Sequence, residues 1–250
     1  MKIGFIGGHS NKKIGAVSTI AGTNYKEHLV VRDIANKCVE YAKKNYEGTF
    51  ITDDVNSHSG SGEVTFIINN KLDYFISIHL NSSSNTTANG CEIIVNCREK
   101  TVGIETEMMK RLSSEIGFKN RGVKRRQSGG DWITSTKDVD DYYGILRQPR
   151  AKGISGSILE ICFISNKDDM DKLMKNTDKV VKIIVESICD GFKMKKKVIN
   201  QETPQKPLES ILEGEKMHRV VIGAFKNKDN AIKLKNEAIS KGFNAYIVEN

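Results

Sequence analysis

Two histidines and two carboxylates stand where this sequence could bring them to one reaction site. His9 and His79 each follow a short apolar run typical of a β-strand, and Glu27 lies between them at the start of a helical pattern. Glu160 interrupts the apolar stretch 157–164. In open α/β sheets, ligands bind beyond the carboxyl ends of the strands. Two imidazoles and one carboxylate there form the ligand set of a catalytic zinc ion, and the other carboxylate could transfer protons. These residues therefore predict a zinc hydrolase.

Each of these residues also has an ordinary structural explanation. A carboxylate in the first turn of a helix commonly faces solvent and interacts with the helix dipole, although helical spacing puts Glu27 on the apolar face. A histidine at a strand end is more often a hydrogen-bonded polar residue than a ligand. Glu160 could belong to a buried ion pair. Strand alternation places it beside Ile158 and Cys162, however, and burial without a partner would raise its pKa towards neutrality, as a general acid or base requires. The other three histidines are expected at the surface: His28, His58 and His218.

The first three-quarters of the chain alternate strand and helix patterns. Strands are predicted over 2–7, 49–52, 73–79, 91–95 and 157–164, and helices over about 25–45, 102–116 and 167–191. Strands separated by helices imply an α/β fold, a mostly parallel twisted sheet flanked by helices. Thr23 or Asn24 is expected to cap the first helix, and residues 127–132, which include the sole tryptophan, are expected to form an exposed loop.

A change in composition marks a polar linker over 193–216, where two of the three prolines fall. The linker separates a main domain, 1–192, from a small βαβ unit, 217–250, with strands predicted over 219–225 and 244–248 and a helix over 229–241. Alone, so short a unit is small for independent stability.

Composition narrows the classes of protein to consider. The chain has 250 residues, 38% hydrophobic and 28% charged, and no apolar run approaches the roughly 20 residues that span a bilayer. The five cysteines are odd in number and lack CxxC pairs. This pattern predicts buried free thiols in a protein made in a reducing compartment. Residues 193–250 carry 12 Lys and Arg against 7 Asp and Glu, so most of the net charge of +8 lies in the tail. A basic tail suits acidic polymers, but no basic helix or aromatic–basic motif predicts nucleic-acid binding.

Taken in order, six segments resemble the type-3 family of zinc-dependent N-acetylmuramoyl-L-alanine amidases. They are Gly8-His9, Glu27 with Ile34-Ala35, Ser77–Asn81, Asn120–Lys124, Ile145–Arg147 and Glu160–Asn166. The resemblance covers about residues 2–192, and the ordered agreement of six segments is specific.

The resemblance implies one zinc ion bound by His9, Glu27 and His79, with Glu160 as the catalytic acid and base. It implies cleavage of the amide between the muramic lactyl group and L-alanine of the peptidoglycan stem peptide. Asn81 and Arg147 are the candidates for positioning substrate.

Two departures from the family's pattern stand near these residues. Ser10-Asn11 replace a glycine pair, and Cys162 replaces a glycine. Cys162 would share a strand face with Glu160, which leaves a Cys/His nucleophile mechanism as an alternative.

Residues 219–248 resemble the first half of a SPOR domain, a binder of peptidoglycan glycan. Two chains could combine their halves, which predicts a homo-oligomer with no unpaired sheet edge. The purine-rich codons available to the segment Leu212–Met217 suggest a separate translation start at Met217.

The N-terminus lacks a signal-peptide pattern, so we expect a protein made in the cytoplasm that acts on the cell wall after release. A phage or prophage endolysin fits best, and a host autolysin is the next alternative. The alternatives from other classes are a non-catalytic peptidoglycan-binding protein and a zinc peptidase that cuts within the stem peptide.

Overall fold

A computed structural model describes residues 1–53, 62–197, 223, 225 and 227–240. The chain divides into two compact units, Met1–Ile199 and Asn200–Asn250. In the first unit the strands are β1 (Lys2–Gly7), β2 (Val17–Ile20), β3 (Thr23–Lys26), β4 (Thr49–Ile51), β5 (Tyr74–Asn81), β6 (Cys91–Val95), β7 (Asn120–Arg126), β8 (Trp132–Ile133) and β9 (Ser155–Phe163). The helices are α1 (Glu27–Asn45), α2 (Gly62–Asn69), α3 (Gly103–Arg111, continued by a π-helical turn over Leu112–Ile116), α4 (Gly144–Arg150), α5 (Lys167–Lys175) and α6 (Thr177–Gly191).

Seven strands form one sheet in the order β4-β1-β5-β9-β6-β7-β8. The pairs β1/β4, β1/β5, β5/β9 and β6/β7 are parallel, whereas β6/β9 and β7/β8 are antiparallel. The predicted mostly parallel α/β sheet is therefore confirmed. Because β6 runs against β9, the carboxyl ends of β1, β5 and β9 share one edge of the sheet with the amino ends of β6 and β7.

Alternating apolar side chains cover both faces of the sheet. Ile3, Phe5, Ile76, Ile78 and Leu159 pack against α1, α3, α5 and α6 in the larger core. Their strand neighbours Ile6, Phe75, Ile94 and Ile158 pack against α2 and α4 on the opposite face. Strands buried on both faces read as nearly continuous apolar runs, which is why the sequence predicted them well.

The five predicted strands and the first two predicted helices are confirmed, but the single helix expected over 167–191 is wrong. It is two helices that meet at Asn176, whose Nδ2 donates to the carbonyl of Lys172 at 2.8 Å. An asparagine side chain that bonds a nearby carbonyl competes with helical hydrogen bonding, and this one ends the first helix. The sequence missed β2, β3, β7, β8, α2 and α4, which are short or rich in polar residues.

The cap expected at Thr23 or Asn24 is also wrong, since both residues lie in β3. The β2–β3 hairpin runs directly into α1, whose cap residue, Lys26, makes no side-chain cap bond. The backbone before the hairpin satisfies the first two amides of the helix: Glu27 donates to Ala16 at 2.9 Å and His28 to Ile14 at 3.3 Å.

A β-bulge in β9 corrects a third expectation. His79 pairs with Glu160, but Asn81 pairs with Phe163, so the register shifts by one residue between them. Cys162 consequently lies in the larger core with Leu159, and not on the face of Glu160 as strict alternation predicted. Bulges of this kind commonly redirect side chains beside functional sites.

All five cysteines are free and buried, as expected. Their thiols therefore serve as small apolar groups in the core.

In the second unit, the structure describes α7 (Lys228–Ser240), which confirms the helix predicted over 229–241. The linker after 197, the strands predicted over 219–225 and 244–248, and the histidines His58 and His218 lie outside the described residues, apart from positions 223 and 225. Among the helices of the described ranges, none has the length and apolar character needed to cross a bilayer.

A buried ion pair joins α1 to the carboxyl end of β1. The Arg32 guanidinium contacts the Asp53 carboxylate and also donates to the carbonyl of Gly7 at 2.6 Å, while Asp53 accepts from the Gly7 amide at 3.2 Å. Both side chains are buried. The pair therefore fixes the point at which the chain leaves β1 for His9.

We expect Arg32→Met to lower the free energy of unfolding by about 3–5 kcal/mol, because it leaves the Asp53 carboxylate buried without its cation. Lys37→Met is the matched control on the same helix, since the exposed pair of Lys37 with Asp33 should contribute less than about 1 kcal/mol. Urea unfolding of the two variants measures both effects. Equal destabilisation of the two would contradict the assignment.

Candidate metal centre

The Glu27 carboxylate is the centre of the cluster at the carboxyl edge of the sheet. It is buried at the first position of α1. Its Oε2 accepts the amide of Ala16 at 2.8 Å, and its Oε1 accepts the amide of Leu80 at 3.0 Å. Backbone donors from two distant segments therefore hold both carboxylate oxygens.

The two imidazoles reach the same oxygen of Glu27. His9 Nε2 and His79 Nδ1 each lie 3.1 Å from Oε1, and the two rings meet edge to face with centroids 4.9 Å apart. His79 Nε2 lies 3.1 Å from the Ser77 hydroxyl. A proton on Nε2 that donates to Ser77 leaves the Nδ1 lone pair facing Glu27, which is how an outer hydrogen bond orients a ligating histidine.

Two glycines make room for this arrangement. A Cβ at Gly8 would lie 2.2 Å from the His79 ring, and a Cβ at Gly15 would lie 2.5 Å from Glu27 Oε2. His9 itself has a φ of 66°, in the left-handed region that is uncommon for residues other than glycine. Such strained conformations concentrate at functional sites.

The three side chains fit one divalent ion. One ligand atom from each of His9, Glu27 and His79 lies within 4.8 Å of the others. Ligands of a tetrahedral zinc ion, bound at about 2.0–2.2 Å, lie about 3.3 Å apart, close to the separations from Glu27 Oε1. These residues could therefore hold a metal ion, in the combination that leaves a coordination position for water.

Charge inside the cluster is balanced by protons when no metal is bound. Burial would raise the pKa of Glu27, but hydrogen bonds from His79 and His9 hold it well below its usual range. Burial would lower the pKa of His79, but the hydrogen bond to Glu27 and the charge of Glu160 raise it to about 9. Metal binding near neutral pH must therefore displace a proton from this group.

Glu160 lies beside the cluster in a different environment. It pairs with His79 on one neighbouring strand and with Glu92 on the other. Its Oε2 is buried and has no hydrogen-bond partner within the described ranges. Burial raises its pKa to about 7, with the His79 charge opposing the shift and the charges of Glu27 and Glu92 adding to it. A carboxyl group that titrates near neutrality can both accept and deliver a proton.

Known proteins with this sequence pattern and fold identify the family. The family model for N-acetylmuramoyl-L-alanine amidases matches residues 3–194. The chain belongs to this amidase family. It is therefore a peptidoglycan hydrolase of the amidase type, as the sequence predicted.

Solved structures share the fold. Cwp6 from Clostridium difficile is 29% identical with a TM-score of 0.61, over 76% of this chain and 28% of Cwp6, so this chain spans just over a quarter of that protein. The catalytic domain of CwlV, an N-acetylmuramoyl-L-alanine amidase from Bacillus (Paenibacillus) polymyxa, is 23% identical with a TM-score of 0.62, over 78% of this chain and 100% of that domain. The catalytic domain of the CD27L endolysin, which targets Clostridium difficile, is 22% identical with a TM-score of 0.54, over 76% and 97%. No curated protein matches the chain.

The two residues predicted to position substrate occupy different places. Asn81 lies at the end of β5, where its Nδ2 donates to Glu92 at 3.0 Å. Arg147 lies on α4 and donates to the carbonyls of Asp141 and Tyr142. Among the described residues, no hydrogen bond or ion pair joins Arg147 to the histidine cluster.

Glu92, which pairs with Glu160 across the sheet, is a buried carboxylate that sequence reasoning missed. It is buried in β6, and its Oε2 accepts from Arg121 and Lys124 at 2.6 Å each. Burial would raise its pKa, but these two cations lower it. A lone carboxylate in the apolar strand Cys91–Val95 was the available signal, and it is the same signal that identified Glu160.

Two other expectations change in the amidase structure. His28 is buried and its Nδ1 lies 3.1 Å from the carbonyl of Ile14, so its expected surface position is wrong. The segment before the β2–β3 hairpin covers it. The Cys162 thiol has a pKa well above its usual value, chiefly because of burial. It cannot readily form the thiolate that a Cys/His mechanism needs.

We expect Gly8→Ala to weaken metal binding at least about tenfold, because the added methyl group displaces the His79 ring. Gly103→Ala is the matched control, since a Cβ there meets no atom within 4 Å. Competition with a chelator, using zinc as the probe, measures the difference, and circular dichroism checks the fold. Equal zinc affinity in the two variants would show that the ring does not depend on Gly8.

The raised pKa of Glu160 predicts how the metal-free amidase responds to pH. Its pKa is about 7 in the folded protein against 4.5 ordinarily, so the unfolded chain releases this proton first as the pH rises. The stabilisation present below pH 4.5 is therefore lost by pH 7, on the order of 2–3 kcal/mol. With chelator present, Glu160→Gln should lose less stability than the parent between pH 5 and 8. Parallel stability curves would refute the raised pKa.

Proposed function

We propose that this chain is a zinc-dependent N-acetylmuramoyl-L-alanine amidase in which His9, Glu27 and His79 hold the zinc ion. The observation that carries the proposal is the convergence of both imidazoles on Glu27 Oε1, 3.1 Å away in each case. Family membership supports the reaction, and the donor set supports the metal. A bound zinc ion would polarise the scissile carbonyl and lower the pKa of a water molecule at the site.

Glu160 is proposed as the proton carrier. Its carboxylate, which is ionised at the start of the reaction, takes a proton from the attacking water. The resulting carboxylic acid then gives that proton to the nitrogen of L-alanine as the amide bond breaks. A pKa near neutrality suits both steps, because the group must be a base first and an acid afterwards.

Asn81 is proposed to position substrate, supported by its place at the end of β5 and by the Glu92 hydrogen bond that fixes its amide. Arg147 is proposed for the same role, supported by the packing of α4 on the face of the sheet that carries Glu160.

Glu160→Gln should retain zinc and lose activity by a factor on the order of 10² or more, whereas His79→Ala should lose both. Glu107→Gln, an exposed carboxylate on α3, is the matched control and should change neither. Zinc content by mass spectrometry and release of N-terminal alanine from purified cell walls measure the two properties. Retained lysis in Glu160→Gln would remove this residue from the mechanism.

The new end groups also distinguish the alternatives. Free amino groups of L-alanine indicate the amidase reaction, and amines from other stem residues indicate a peptidase. A non-catalytic wall-binding protein would release neither, with or without chelator.

We further propose that residues 193–216 link the amidase domain to a wall-binding tail that resembles half of a SPOR domain. Two tails could complete one module by forming a homo-oligomer, and a fragment that starts at Met217 could supply the second half. If a mass spectrum of the proteins expressed from the gene contains no fragment that begins at Met217, the internal start is dismissed.

We also propose that the chain is made in the cytoplasm, a reducing compartment, which its five free buried thiols support. It then acts on the wall after release, as a phage or prophage endolysin or as a host autolysin. A neighbouring holin gene would favour the endolysin.

A further inference from the structure

The side edge of the sheet, formed by β7 and β8, carries a cluster of cations. Strand β7 contributes Arg121, Lys124, Arg125 and Arg126. Glu92 pairs with the first two, and Arg125 donates to the backbone carbonyl of Glu99. Arg126 has no carboxylate partner among the residues that the structure describes. Among the described residues, Arg126 is therefore a cation of β7 that no carboxylate neutralises.

Aromatic rings hold the Arg126 guanidinium in place. Its Cζ lies 3.9 Å from the centre of the Tyr142 ring, 5.2 Å from that of Trp132 and 5.9 Å from that of Tyr143. Its Nε donates to the carbonyl of Gly130 at 2.8 Å. Its Nη1 donates to the Tyr143 hydroxyl at 3.5 Å. The Nη2 atom makes no hydrogen bond within the described ranges and is not buried. A guanidinium oriented by stacking, with its Nη2 free to donate, is prepared to bind a carboxylate.

Arg126 lies on the face of the sheet that carries the catalytic carboxylate. Lys124 pairs with Ile94, whose side chain belongs to the same core cluster as Ile158, two residues from Glu160. Lys124 also contacts Glu92 at 2.6 Å and has its Nζ 5.4 Å from the Trp132 ring centre. Alternation then puts Arg126 on that face too. A continuous row of side chains therefore leads from Glu160 to the cluster.

The distance between the two points matches the length of a short peptide. Arg126 lies two strands across and about four residues along from Glu160, which corresponds to about 16 Å at the usual strand spacing and rise. An extended chain advances about 3.4 Å per residue, so four or five residues cover this distance. Trp132 and Tyr142 are half exposed, at 50% and 47%, and border the end of the path.

We propose that Arg126, held by Trp132 and Tyr142, binds a carboxylate near the distal end of the stem peptide. The inference rests on the proposed amidase function, and it specifies which part of the substrate this edge of the sheet recognises. Charge decides between the two halves of the substrate. Once the lactyl group is amidated, the glycan offers no carboxylate, whereas the stem peptide carries several. The remaining Arg126 donors fit that anion.

The test uses two soluble substrates, a muramoyl-tetrapeptide with a terminal carboxylate and the same compound with a terminal carboxamide. The zinc-loaded full-length protein should show a KM about tenfold lower for the carboxylate. Arg126→Gln should raise that KM about tenfold, change the KM for the carboxamide by less than about twofold, and leave kcat unchanged for both. Arg126→Lys should recover only part of the loss, because it keeps the charge but not the planar stacked fork.

Arg98→Gln is the matched control, since Arg98 is an arginine of similar exposure that pairs with Asp138 and Asp140. It should leave both KM values unchanged. Equal loss on the two substrates in Arg126→Gln would overturn the proposal, because it would indicate glycan contact or a structural role. Equal KM values in the parent protein would also overturn it.

A binding measurement separates this inference from the proposed function. If the parent hydrolyses neither substrate, the proposed function fails. Calorimetry of the free tetrapeptide and its carboxamide against the zinc-loaded Glu160→Gln protein still tests the subsite. Binding that prefers the carboxylate and depends on Arg126 supports it, and absence of that preference refutes it.

Discussion

The buried negative charge of Glu27 is the constraint that organises this protein. An ionised carboxylate removed from water is costly unless other groups supply hydrogen bonds and positive charge. Here the donors come from separate segments: backbone amides before the hairpin and at the end of β5, and imidazoles after β1 and within β5. Satisfying one side chain therefore fixes how α1, β1 and β5 meet. The same groups that stabilise the fold become the candidate ligands of the metal.

The positions of the candidate site residues could be predicted from the sequence where the pattern of a single strand determines them. His79 and Glu160 follow from apolar runs and alternation, and the structure aligns them on adjacent strands. Hydrophobic periodicity did not predict burial correctly where another segment of the chain covers the residue. His28 looks polar and exposed on its helix, but residues before the hairpin cover it. Cys162 breaks alternation because of a bulge, and no local pattern announces a bulge.

The cationic edge illustrates what a single sequence cannot supply. Strand β7 is mostly polar, so hydrophobic periodicity gives no sign of it, and its pairing with β6 joins residues nearly thirty positions apart. Only the family resemblance, and no local pattern, distinguishes residues 120–124 in the sequence. Only the three-dimensional pairing shows that Lys124 contacts Glu92, and that Arg126 stacks against rings from two later segments.

The three carboxylates near the histidine cluster have different pKa values because their surroundings differ. Glu27 is held ionised by two imidazoles and two amides, and Glu92 is held ionised by Arg121 and Lys124. Glu160 lies between His79 and Glu92 without a hydrogen bond to its inner oxygen, so it alone titrates near neutrality. Pairs of like groups driven to different pKa values are the usual basis for assigning acid and base. Because Arg121 and Lys124 neutralise Glu92, it stays ionised beside Glu160 and does not compete with Glu160 for a proton.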